Sequence, residues 1–215
     1  MVNKTPKNPN NYLLSIYRSF WANHTDTWGK DYPDWFRPHG RDGYRVFGSG
    51  NIQSGYASEQ ALYDKLEGKK MVADHYLSPQ FASGVPLHFY DKYLCPQSKN
   101  PRGNNGDRDN FDNFCEYMNC LRVVTRVTRK ENKELSKLTD TKSGDFPVVY
   151  VPTNQKYDRL GIKLYKFDTE KNLTDDVIEE ILDTQLPENA SEVLHFPADL
   201  IEYEKDFLVW QLASC

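Results

Sequence analysis

The sequence predicts an α+β fold: a mainly antiparallel sheet with helices packed on it, forming a single globular domain over residues 11–215 behind a flexible arm, residues 1–10. Three observations lead there. Helical and strand patterns alternate along the chain without the regular spacing of βαβ units. Aromatics make up 13% of the chain, so a core is well supplied although mean hydropathy is −0.77. The length, 215 residues, allows one large core that needs no staples.

Met1–Asn10 is polar and holds Pro6 and Pro9, as a loose arm does. Tyr12–Trp21 places Leu13, Leu14, Ile16, Tyr17, Phe20 and Trp21 at helical spacing. Ala22–Gly55 is rich in Gly, Pro, Asp and aromatics and yields only one short strand, Tyr44–Phe47. Ser58 is the N-cap of a helix to Leu66, with Gly68 past its end. Lys69–Ala73 is a short strand, which Pro79 cannot continue. Phe81–Leu94 is helical in part, and Cys95–Asp109 is the longest loop.

Asp109 starts a helix to Asn119 with Phe111, Phe114, Cys115 and Met118 facing inward. Leu121–Thr128 has period two and reads as a strand with one charged face. Thr128 and Glu131 form a capping box for a helix to Leu138. Thr139–Asp145 is a turn and Phe146–Val151 a strand. Thr153 caps a helical turn or two that ends at Gly161, and Ile162–Phe167 is another strand. Leu173, Val177, Ile181 and Leu182 mark a helix with Asp175 and Asp176 in its first turn, where the dipole favours them. Val193–Phe196 reads as a strand. Leu200–Leu212 is apolar and fits either helix or strand.

Net charge is −4, so the molecule as a whole does not attract polyanions. Its charges are unevenly spread. Leu121–Lys142 is basic, while the stretch from Thr169 carries Glu170, Asp175, Asp176, Glu179, Glu180, Asp183, Glu188 and Glu192. Cys115 and Cys120 match neither a zinc nor a redox spacing, and reduced thiols in a cytoplasm are the simplest reading. No signal peptide opens the chain and no apolar run approaches the ~20 residues of a membrane helix. The P-loop, GxGxxG, GxSxG and HExxH motifs are missing, which disfavours Walker, Rossmann, serine-hydrolase and zincin chemistry.

The chemistry-bearing stretch is Lys69–Gln80, where Asp74 and His75 sit side by side at the expected end of a strand. Strand neighbours point to opposite faces, but at a strand's end the geometry relaxes, so both could reach one metal or one water. A carboxylate suits Mg²⁺ or Mn²⁺, and an imidazole can deprotonate water near neutral pH. The other reading is a local hydrogen-bonded turn.

The run Asp74-His75-Tyr76-Leu77-Ser78-Pro79 resembles the first half of an HNH nuclease motif, and Asn110–Cys120 is similar in flavour to the helix of its second half. The resemblance implies a metal-dependent DNA endonuclease. Asp74 would be a metal ligand, His75 the base, Asn113 the positioning residue and Asn119 a second ligand. The gap between the halves is longer than the family shows, and no His closes the motif. DHYLSPQ together with RVTRKEN, Pro152-Thr153 and Leu160-Gly161-Ile162 also resembles small accessory proteins of tailed phages infecting marine bacteria, which implies the cytoplasm of an infected host.

On the nuclease reading Arg122, Arg126, Arg129 and Lys130, with loop residues Lys99, Arg102 and Arg108, form the DNA footprint. Otherwise they are a charged outer sheet face. His39 with Asp42 is a secondary acid/base candidate, and Trp21, Trp28, Trp35 and Phe36 either stack bases or build a satellite core. His88 and His195, flanked by apolar residues, read as structural. The alternative to the nuclease is a non-catalytic protein that binds a host or virion protein through its acidic end and aromatic surface, or a nucleic-acid binder without chemistry.

Overall fold

The computed structural model describes residues 13–14, 16–18, 20, 51–94, 105–140, 148–167 and 173–213. The expected strand at Tyr44–Phe47, the His39–Asp42 pair, the tryptophan cluster, Lys99 and Arg102 lie outside the described residues. So does the side chain of Arg108.

Among the described residues, the largest sheet has five strands in the order β2-β3-β1-β6-β7. They are β1 (Ile52–Ser58), β2 (Val72–His75), β3 (Val123–Val127), β6 (Lys163–Lys166) and β7 (Glu188–Asn189). β4 (Thr139–Asp140) and β5 (Val148–Val149) form a separate antiparallel pair. The neighbours in the larger sheet are antiparallel except β1 and β3, which run parallel with Ile52 opposite Val123. The α+β expectation holds, and the sheet is mixed with one parallel pair.

Two caps set helix starts as the sequence predicts, whereas Thr153 does not cap its turn: it is the first residue after Pro152, and its hydroxyl donates to Glu204. Ser58 accepts from Ala61 N at the head of helix Glu59–Leu66, and Gly68 follows it at φ +77°. Thr128 and Glu131 make the reciprocal capping box of helix Arg129–Leu135. Gly161, at φ +67°, ends the turns Thr153–Gln155 and Lys156–Arg159.

Other expectations shift. Helix Asn105–Cys120 begins four residues before Asp109, inside the predicted loop. Phe81–Leu94 resolves into three single-turn helices, Pro79–Ala82, Val85–His88 and Tyr90–Tyr93, separated where Gly84 and Phe89 interrupt. The predicted strand Val193–Phe196 does not form: Ala190–Val193 is a helical turn, and Leu194 and Phe196 turn inward from irregular backbone. Ala198–Ala213 is a helix.

Two clusters cover the sheet's two faces. Leu62, Ile178 and Ile181, from helices Glu59–Leu66 and Asp175–Thr184, pack on Ala57, Tyr165 and Phe167. On the other side Phe114, Met118, Leu121, Phe81, Tyr203 and Phe207 pack with Val127, Leu164 and Tyr157. Tyr17 meets Phe111 and Phe114 edge-on at 5.2 and 5.4 Å. β3 therefore lies inside the sheet with Val124, Thr125 and Val127 buried, and its charged outer face reduces to the half-buried Arg126.

Candidate functional site

β2 ends where the sequence suggested, and its pairing continues through the last residue: Asp74 lies opposite Thr125 and His75 opposite Val124. Period two is therefore kept to the strand's end, and the two side chains leave on opposite faces. The relaxation that would aim both at one ion does not occur.

Asp74 is buried among protein partners. Its Oδ2 accepts the Tyr157 hydroxyl at 2.5 Å and lies 3.5 Å from Lys156 Nζ. Lys156 Nζ also donates to the His75 carbonyl at 3.1 Å. Glu204, from the last helix, faces the same ammonium, and it accepts Thr153 N at 2.9 Å and the Thr153 hydroxyl at 2.7 Å. Burial lowers the Lys156 pKa, against the pull of Asp74 and Glu204. Burial raises Tyr157 well above its ordinary range, with Asp74 adding to it. Burial raises Glu204 too, opposed by the Thr153 hydrogen bonds and by Lys156. These side chains tie β2, helix Lys156–Arg159 and the last helix together across long sequence distances.

His75 is half-buried. Burial lowers its pKa; Asp74 opposes this and Lys156 adds to it. A neutral imidazole at pH 7 follows. Asn119 Oδ1 accepts from Arg122 at 3.1 Å, and Asn113 Nδ2 donates to the Lys92 carbonyl at 3.3 Å. The two residues assigned to the metal are thus each held by a cation of the protein itself. Among the described residues no three His, Cys, Asp or Glu side chains gather as ion ligands.

The basic residues are spread along β3. Arg122 precedes it, Arg126 is half-buried and shares a face with Ala57 and Ala73, and Arg129 and Lys130 are exposed beyond its other end. The five-residue strand and the extended Thr128 separate Arg122 from Arg129 by roughly 20 Å.

Asn113 instead lines a cleft of about 230 Å³ between helix Asn105–Cys120 and the start of the last helix. Here Asp199 is held by the Tyr93 hydroxyl and by Lys92 Nζ at 2.6 Å. The arrangement repeats that around Asp74: a consecutive Lys-Tyr pair embraces one aspartate, and each ammonium sits over its own tyrosine ring, at 5.4 Å for Lys92 and 5.3 Å for Lys156. Sequence reasoning missed both Lys-Tyr pairs. The repeated dipeptide is the one local signal, and its aspartates lie 82 residues before and 106 residues after it. His195, expected to be structural, is exposed on this cleft, while its carbonyl accepts Tyr76 OH at 2.8 Å. His88 contacts Asp206 at 3.1 Å and packs edge-on against Phe89 and Tyr203.

No described helix is long and apolar enough to cross a membrane. Compared with known protein families, curated proteins and solved structures, the chain matches none.

Proposed function

We propose that the chain is a non-catalytic binding protein that docks a basic protein partner on the outer face of helix Asp175–Thr184. The observation that carries this reading is a projecting Leu186, 87% exposed, at the end of a carboxylate ridge. The helix turns Ile178 and Ile181 into the core and leaves Asp175, Asp176, Glu179, Glu180 and Asp183 exposed, with no basic residue within it. An apolar anchor beside charges of one sign suits an interface: the leucine supplies desolvated contact and the charges steer encounter and reject anionic competitors. The engagement of Asp74 Oδ2 by Lys156 and Tyr157 supports the same reading, because it gives that carboxylate a structural role inside the protein.

The test captures partners from host extract on the immobilised full chain, beside Leu186→Ser and an Asp176→Lys/Glu180→Lys variant. A protein retained by wild type, lost from both variants and released by salt is expected. Identical retention on all three would sink the proposal.

A second reading is a DNA endonuclease with His75 as base. Its support is the neutral, half-buried imidazole at the strand end. It expects DNA nicking with Mg²⁺ or Mn²⁺ supplied and loss of nicking in a folded His75→Ala variant. Nicking unchanged in that variant would remove it.

A further inference from the structure

We propose that the cleft between helix Asn105–Cys120 and the start of helix Ala198–Ala213 binds a small organic cation through an alkylammonium or guanidinium head. The argument is a census of donors and acceptors. Asn113, Glu116, Tyr117 and Cys120 stand three, four and seven residues apart, so one helix face lines the cleft.

Several donors on its wall bond within the protein, while Lys92 keeps further N–H groups and the His195 ring is exposed at the rim. Tyr93 OH and Lys92 Nζ donate to Asp199, Tyr117 OH donates to the Ala82 carbonyl at 2.8 Å, and Asn113 Nδ2 donates to the Lys92 carbonyl. The acceptors are not spent. Both bonds to Asp199 arrive at Oδ2, which leaves Oδ1; Asn113 keeps its Oδ1; and Glu116 is exposed on the same wall. Lys92 offsets one of the two carboxylates, so the cleft carries one excess negative charge. Tyr93 registers both: burial raises its pKa most, the bond and charge of Asp199 next, and Glu116 adds to them. Three open acceptors and a net negative charge match a ligand that carries donors and a positive charge. At about 230 Å³ the space falls below the roughly 300–1,000 Å³ of pockets for drug-sized ligands, which sets the ligand's size. Asp199 is also pre-oriented by its two partners, which lowers the cost of ordering it around a ligand.

The experiment titrates putrescine, n-butylguanidine and butyrate into the full chain and follows backbone amide shifts together with binding heat. Nα-acetyl-lysine amide, standing for a lysine side chain of a peptide, separates a free amine from a protein-borne one. Expected are shifts at residues 113–120 and 195–199 with the cations and none with butyrate. Glu116→Gln, an exposed position that leaves the fold intact, should weaken cation binding about tenfold. Asp199→Asn should weaken it further. The partner-binding variants at 176, 180 and 186 should leave it unchanged, so this proposal and the previous one fail separately. Cation affinity equal in Glu116→Gln and wild type, or no shifts at those amides, would overturn it.

Discussion

The molecule builds one arrangement twice and uses it differently each time. At the end of β2, Lys156 and Tyr157 hold Asp74 with side chains 8% and 12% exposed for the lysine and aspartate. Beside the last helix, Lys92 and Tyr93 hold Asp199 with the lysine 52% and the aspartate 18% exposed. The same three side chains make an internal tie in the first place and a wall open to ligands in the second. What separates them is water. In the interior an unpartnered charge loses its solvation, so each member depends on the others. At the surface water replaces any lost partner at little cost.

The comparison makes its largest prediction at the two lysines. Lys156→Met leaves Asp74 buried without its cation and should cost about 3–5 kcal/mol, whereas Lys92→Met should cost about 0–1 kcal/mol. Urea unfolding of both variants measures the gap, and equal losses would break the contrast. Glu204→Gln sharpens it: one carboxylate oxygen that serves Thr153 is replaced by an amide, and a loss of about 1–3 kcal/mol is expected in the same assay. Thr128→Ala, which removes a cap away from both sites, should cost about 1 kcal/mol and sets the scale of an ordinary local hydrogen bond.

The smallest effect is a pH slope. His75 titrates below its ordinary value of 6.5 in the folded chain, so the unfolded chain binds more protons as the pH falls through that value. Its contribution is fully present above about 6.5 and is lost on acidification from there toward the lowered folded value. His75→Gln should flatten the stability curve between about pH 7 and 5. An unchanged slope would mean that the ring is as solvated as in the unfolded chain.

Features set by neighbours in sequence were legible. Ser58, Thr128, Gly68 and Gly161 mark element boundaries because caps and left-handed residues act within a turn. Those that depend on distant chain were not. β1 escaped notice because Gly55 and the polar residues around it break the apolar pattern, and its parallel partner β3 begins 71 residues after it. The last helix stayed ambiguous because Val209 and Leu212, exposed, blur its apolar stripe. At the candidate site the Asp74-His75 pair stood out, but the partners that decide its role, Lys156 and Tyr157, come from a turn some 80 residues on. Pairing also carries the strand's alternation one residue further than a frayed end would.

The parallel pair holds a last consequence. Between Gln53 and Ala57 the β1–β3 ladder loses its regular register, and Gly55 sits there at φ +81°. Just beyond, Glu131 Oε2 receives both the Thr128 amide and the Ser58 hydroxyl at 2.7 Å, and Ser58 in turn receives Ala61 N at 3.1 Å. A single carboxylate thus latches the openings of two helices launched from adjacent strands. Sliding β1 by one residue would carry Ser58 away by about 3.3 Å and unfasten that latch. Alignment that the interrupted ladder leaves loose is checked by a side chain, like a pin dropped through two hinges.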